Sequence, residues 1–441
     1  MNKISALAVS LLLLFGAVPA YAWILDYQDP NSSHDLSIAT DWFRLTDGGN
    51  PASRDGNVGP PLSTDYAYIR TGRSDLFLNS GSLNAKNLQI GGDTVTSNPP
   101  TTLTEVTVGA GGTIETRGVP GTTSTDNLYI GYRYGGALTV DGGTVKAMDT
   151  AGTGGSWISL GGKSANITGT LNVEDGLVQF GSINAGWNNG VGIINHTGGT
   201  MQLIAQASPR IYLGYANAGY LGRAEYNLSG TGFLDLSIAG GNCQIKLGNS
   251  GGTGLFNMTG GSVYSNYSGG GILMGTSSTS TTEWRLLGGR VTMPRSRIDQ
   301  TGTSRFKVNQ VGELQIGGNW TTASATDTVE LVVGSNADFQ MTVGGNLAWG
   351  PCTPSVVLDS YAPTVGQTWK VVDLTTGTIT LPADGYHPDG ARYNWSGPDG
   401  VGWCLYKDIP NSDLRLEYVP EPATLALLGL GGLALLRRRR R

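Results

Sequence analysis

Leu128-Tyr129-Ile130-Gly131, then Leu138-Thr139-Val140, then Gly142-Gly143-Thr144: these three short phrases, read in order, set the architecture of the chain. Alternation such as Leu138-Thr139-Val140 sends every second side chain the same way, as a half-buried strand requires. The glycine pair lets the backbone take positive φ at a corner without a Cβ clash. Each unit therefore reads as two or three short strands joined by tight corners, with one apolar row that a single unit cannot bury.

The first phrase returns as Leu88-Gln89-Ile90-Gly91, Ile158-Ser159-Leu160-Gly161, Ile211-Tyr212-Leu213-Gly214, Ile245-Lys246-Leu247-Gly248, Ile272-Leu273-Met274-Gly275 and Leu314-Gln315-Ile316-Gly317, with Ile183-Asn184-Ala185-Gly186 as a weaker member. The second returns as Gly111-Gly112-Thr113, Gly198-Gly199-Thr200, Gly260-Gly261-Ser262 and Gly288-Gly289-Arg290, and Asp175-Gly176 and Gly230-Thr231-Gly232 stand in for it elsewhere. Spacings of roughly 25 to 40 residues fall where a supersecondary unit repeats and stacks. Stacking at about 4.8 Å per coil buries the apolar row and satisfies the backbone hydrogen bonds. The expectation is an all-β parallel β-solenoid over residues 86–350, right-handed by analogy to known families. A propeller or a sandwich is the alternative, but a blade asks for about 40 residues and four strands, which these irregular spacings fit poorly. Helix is nearly absent, because no window keeps apolar residues at three-to-four spacing.

The ends differ from the middle. Residues 23–85 carry no repeat phrase, and read as a loop-rich lead-in that ends in a first strand at Asp65-Tyr66-Ala67-Tyr68-Ile69 and caps the open end of the stack. Residues 351–418 read as a closing β segment. At the very start, Lys3, an apolar run from Ile4 to Ala17, and Ala20-Tyr21-Ala22 have the layout of a signal peptide over residues 1–22. Signal peptidase would cut between Ala22 and Trp23 after delivery to the Sec machinery.

At the other end, Val419-Pro420-Glu421-Pro422 leads into an apolar run from Ala423 to Leu436 and then Arg437, Arg438, Arg439, Arg440 and Arg441. A helix of about 14 residues reaches roughly 21 Å, short of a hydrocarbon core of about 30 Å, so it makes a marginal anchor. The arginines act as a cytoplasmic stop and leave the body on the far side. Residues 419–441 resemble the PEP-CTERM class of bacterial exoproteins. The resemblance implies that Pro420-Glu421-Pro422 is recognised by an exosortase-like membrane protease, and that the chain is anchored transiently in the inner membrane before reaching the cell surface or extracellular matrix.

A second resemblance covers most of the body. The lead-in, the Gly-Gly-Thr coils and the segment holding Pro363-Thr364-Val365-Gly366-Gln367-Thr368-Trp369 and Leu414-Arg415-Leu416-Glu417-Tyr418 are similar to passenger-type β-helix exoproteins with autotransporter-associated repeats. That family has a β-barrel translocator when it exports itself. This sequence has none, so sorting through the tail takes its place.

Composition bounds the partners. Charged residues make up 14% and glycine numbers 69 of 441, a turn-rich β composition without the strict period of collagen. Loss of Lys3 and the arginine tail would leave the body near about −11, which argues against nucleic acid as a partner, since phosphate neutralisation needs a basic footprint. It suits solubility or divalent cations in a matrix; extracellular polysaccharide is the partner that a glycan-binding role would take. Cys352 and Cys404 bracket the last segment and could pair in an oxidising exterior, whereas Cys243 reads as a buried thiol.

No catalytic constellation is legible. Polysaccharide lyases and hydrolases built on β-helices need paired carboxylates, a calcium cluster or a basic residue in a groove. Here Asp141, the pair Glu174-Asp175, Glu225, Asp235 and Glu283 fall in separate phrases, adjacent residues of the pair would face opposite ways on a strand, and all read as turn or surface residues. His34, His196 and His387 lie far apart without ligand spacing. Asn-x-Ser/Thr triplets such as Asn257-Met258-Thr259 read as corner chemistry. Tyr132, Trp187 and Tyr215 each directly follow the glycine of the first phrase, so they could stack at one corner and offer flat faces to sugar rings. The competing reading is an aromatic stack that protects the corner. The functional expectation is a non-catalytic structural or adhesive exoprotein without catalytic residues, cofactor or metal; a polysaccharide-degrading enzyme and a glycan-binding protein are the alternatives.

Overall fold

The computed structural model describes residues 24–27, 35–37, 42–45, 54–57, 61, 66–69, 75–91, 103–118, 128–162, 166–187, 189–205, 209–215, 221–237, 243–267, 270–277, 279–350, 352–382, 392–396, 402–408 and 412–419. All the regular structure there is β. One turn of the chain runs through Leu128–Ile130, Gly136–Asp141 and Thr144–Asp149, and the next through Trp157–Leu160, Thr168–Val173 and Leu177–Phe180. Each strand pairs in parallel with its counterpart one turn later. Three parallel ladders result, here named the first, second and third faces. This is the coiled, stacked arrangement that the repeat phrases predict.

The phrases mark two different corners. Gly91, Gly131, Gly161, Gly186, Gly214, Gly248 and Gly275 close the first-face strands with φ between +63° and +75°. At these positions a Cβ would also run into the following coil, into its backbone at all but Gly248, where Thr282 and Ser280 side chains stand in the way; at Gly161 the obstacle is Val191. Glycine is thus required twice over, by dihedral and by space. The double glycines turn the chain from the second face to the third, as at Gly142, where φ is +82°.

One phrase sits elsewhere. Leu314-Gln315-Ile316 belongs to the third face, in register with Val291-Thr292-Met293 and with Met341-Thr342-Val343. The first-face strand of that region is Arg297–Gln300, paired with Gly271–Met274. The apolar phrase is broken there by Gln300, which is fully buried because it has partners of its own. It accepts a hydrogen bond from Trp320 Nε1 at 2.9 Å and donates to Ser304 Oγ at 3.2 Å.

Coiling extends past residues 86 and 350. Tyr66–Ile69 pairs in parallel with Asn87–Ile90, and Leu347–Ala348 with Ile379–Thr380. Antiparallel pairing appears at the two ends. Ile24–Tyr27, Trp42–Leu45 and Arg54–Asn57 form an antiparallel extension of the first face. Thr368–Leu374, Asp413–Val419, Gly402–Asp408 and Arg392–Ser396 form one at the other end. Such strands cover parallel edges that would otherwise invite another chain.

Inward side chains of successive coils lie in columns. On the second face Leu138, Leu171, Ile194, Tyr226, Phe256, Trp284, Phe306 and Val329 are in register, and all are fully buried. Cys352 and Cys404 form no disulfide with each other; both are buried, as is Cys243. Cys352 lies against the coils, where burial pushes its thiol up to about 12, whereas Cys404 belongs to the antiparallel end sheet.

Candidate functional site

The sorting motif overlaps the last described strand by one residue. Val419 is the last residue of the strand Asp413–Val419 and pairs with Gly402. That strand lies between Thr368–Leu374 and Gly402–Asp408 and pairs antiparallel with both. Pro420, Glu421, Pro422, the apolar run and Arg437 to Arg441 lie outside the described residues, as do Ala22 and Trp23 at the other end. Among the described residues no helix is long and apolar enough to cross a membrane.

Tyr132, Trp187 and Tyr215 all stand at the first corner, half-buried, but they do not form one unbroken row. The coil between Tyr132 and Trp187 contributes Gly162, which follows Gly161 and makes the same kind of hydrogen bond to the coil below as Trp187 does. That leaves a gap of two rises, roughly 10 Å. Trp187 and Tyr215 are on adjacent coils, and Asn249 follows Tyr215 in register. Two of the three pair with tyrosines of their own coils: Tyr132 with Tyr129 at 4.6 Å between centroids, and Tyr215 with Tyr212 at 5.1 Å, edge-on.

The scattered acids separate into two kinds. Asp175 accepts a hydrogen bond from the amide of Gly176 at 2.7 Å, and Asp235 from the amide of Ser237 at 2.9 Å, so both shape turns. Glu283 instead joins a cluster that no linear phrase announces. Glu283, Arg285, Arg305, Lys307 and Glu330 come from three successive coils of the second face. Arg285 and Glu283 lie 2.7 Å apart, Lys307 and Glu330 3.0 Å, and Arg305 also pairs with Glu330. Burial raises the Glu330 carboxyl, but the hydrogen bonds from Arg305 and Lys307 outweigh it and hold the group below the usual carboxylate range. Carboxylates so neutralised suit structure better than proton transfer.

Asn257 is mid-strand rather than at a corner. Asn257 donates from Nδ2 to Asn227 Oδ1 at 3.3 Å, Asn227 to Asn195 at 3.1 Å, Asn195 to Asn172 at 2.9 Å, and Asn172 to Thr139 Oγ1 at 3.1 Å. Sequence separations of 30, 32, 23 and 33 residues hide this ladder from local reading. Only the coil register brings the amides together.

His196 is fully buried and spans the second corner, with Nδ1 3.0 Å from Tyr226 Oη and Nε2 3.2 Å from the Gly199 carbonyl. A carbonyl can only accept, so Nε2 carries the proton and Nδ1 accepts from the phenol. Burial lowers its pKa to about 4. His34 and His387 lie outside the described residues.

Residues 419–441 match the PEP-CTERM protein-sorting motif. The match indicates C-terminal sorting of an exported protein through an exosortase-like membrane protein, toward the cell surface. Among curated proteins and among solved structures, nothing matches this chain.

Proposed function

We propose that the chain is a non-catalytic structural or adhesive exoprotein: a right-handed β-solenoid of the passenger type, exported behind a signal peptide and released at the surface or in the extracellular matrix when its tail is cut at Pro420-Glu421-Pro422. The match of residues 419–441 to the sorting motif carries this reading. It is supported by the antiparallel end strands, the last of which reaches only Val419 of the motif, so that removal of the tail after it would leave the coils intact. Winding to the right is the usual hand of parallel crossovers. A non-catalytic role is supported by the second-face carboxylates, which are held by arginine and lysine.

Mass spectrometry of the C-terminus of the extracellular protein, with fractionation, tests the reading. The expected product ends near the sorting motif and is found outside the cell. An intact arginine tail on a protein confined to the cytoplasm overturns it. Depolymerisation of acidic or neutral polysaccharide by purified protein, abolished by a single carboxylate substitution, would establish the enzymatic alternative.

A further inference from the structure

The first face carries a compact cationic and aromatic cluster centred on Tyr212. Its ring is 6% exposed and four side chains surround it. Trp157 is parallel to it within 7° at 6.2 Å between centroids, and Tyr215 meets it edge-on. Arg210 donates to the Tyr212 hydroxyl at 2.7 Å and lies 5.9 Å from the ring centre, and Lys246 lies 5.7 Å from it. Trp157, Arg210, Tyr215 and Lys246 all remain half-exposed.

The cluster gathers cations without carboxylates. In the second-face cluster the cations meet carboxylates, and two coils further along the first face Arg297 lies 2.6 Å from Asp299. The first-face strands Leu128–Ile130, Trp157–Leu160, Ser182–Ala185, Arg210–Tyr215, Gln244–Asn249 and Gly271–Met274 contain no Asp or Glu. Arg210 and Lys246 have no carboxylate partner among the described residues, and Arg210 Nε is enclosed without a hydrogen-bond partner. Burial and the Arg210 charge both lower the Lys246 ammonium, which puts the two cations in each other's field. Holding them there costs free energy that a bound anion would relieve.

We infer that Trp157, Arg210, Tyr212, Tyr215 and Lys246 form a binding site for an acidic polysaccharide, with a uronate carboxylate between Arg210 and Lys246 and the neighbouring sugar rings against Trp157 and Tyr215. Aromatic faces beside cations also suit single-stranded nucleic acid. A nucleic-acid track, however, needs a run of basic residues along the backbone. Two cations in an acidic body fit a spaced carboxylate better. The inference deepens the adhesive reading and rests on it only for the presence of polysaccharide around the exported chain. Binding is measured on purified protein, so failure of export and failure of binding are distinguishable.

The test is affinity electrophoresis of the full secreted chain in gels containing polygalacturonate, dextran or oligodeoxythymidylate. Retardation by polygalacturonate, falling with salt and absent with dextran, is expected. Lys246→Gln should weaken it about threefold, Arg210→Gln with Lys246→Gln at least about tenfold, and Trp157→Ala about threefold or more. Lys246 is half-exposed, so Lys246→Glu keeps the proposal testable if the double variant misfolds, and it should abolish retardation while a cooperative melting transition is retained. No retardation of the wild type, equal retardation of Lys246→Glu, or tighter binding to oligodeoxythymidylate than to polygalacturonate overturns the inference.

Discussion

Trp284 lies over Phe256 of the preceding coil with ring centroids 4.0 Å apart and planes within 4° of parallel. Tyr226 continues the stack below at 4.6 Å and Phe306 above at 6.4 Å. Four aromatic rings in the interior of one face supply both burial and stacking, the latter contributing about 0.5–1.5 kcal/mol per pair beyond area. Trp284→Ala should therefore cost about 3–5 kcal/mol, and Trp284→Phe clearly less. Because coils contact only their neighbours, hydrogen exchange should show protection lost first in Thr253–Tyr264, Thr281–Met293 and Thr303–Asn309. Uniform loss along the stack would contradict this.

Asn195 sits in the middle of the amide ladder, donating to Asn172 and accepting from Asn227. Asn195→Ala removes both bonds and leaves two half-buried amides to find water, a cost of about 1–2 kcal/mol. Asn257→Ala, which removes one, should cost about half as much. Urea midpoints of the two variants check the order.

The coil was legible because its rules are local. An apolar-x-apolar strand and a glycine forced to φ near +70° are written within a few residues, and seven such glycines adopt that dihedral. What lay beyond reading were relations set by register. The second-face ion cluster, the asparagine ladder and the Tyr212 cluster unite residues more than twenty positions apart across coils of unequal length, and no fixed period finds them. The same irregularity put Leu314 on the wrong face, since Gln300 replaced the apolar residue that would have marked the true strand. It also hid Gly162, the gap in the corner row of Tyr132, Trp187 and Tyr215.

Glu330 is 4% exposed and depends on Arg305 and Lys307. Arg305→Gln should destabilise the chain by about 1–3 kcal/mol, because the carboxylate loses its main partner while staying buried. Adding Glu330→Gln should recover part of the loss. A double-mutant cycle measures the coupling, and strictly additive effects would show that the pair contributes nothing. Since the folded carboxyl is held below its ordinary range, the contribution is present above the unfolded glutamate pKa. It is lost as pH falls through the folded value.

His196 predicts a second, separable pH dependence. Its neighbours in register are Val173 and Leu228, and its ring is held by the Tyr226 hydroxyl and the Gly199 carbonyl. Burial favours the neutral form and lowers the folded pKa to about 4 from 6.5. Between those two values the unfolded chain binds the proton and the folded chain does not. Stability is therefore complete above pH 6.5 and declines as pH falls toward 4, by up to about 3 kcal/mol. His196→Leu continues the apolar column and removes the titration, leaving the Tyr226 hydroxyl its contact with Met201 Sδ at 3.3 Å. Carboxylates titrate in the same window in both proteins, so the informative quantity is the difference in urea midpoint between wild type and variant at pH 7.5 and at pH 4.5. The variant should gain relative to wild type on acidification. An unchanged difference would mean that His196 is solvated or protonated in the folded chain.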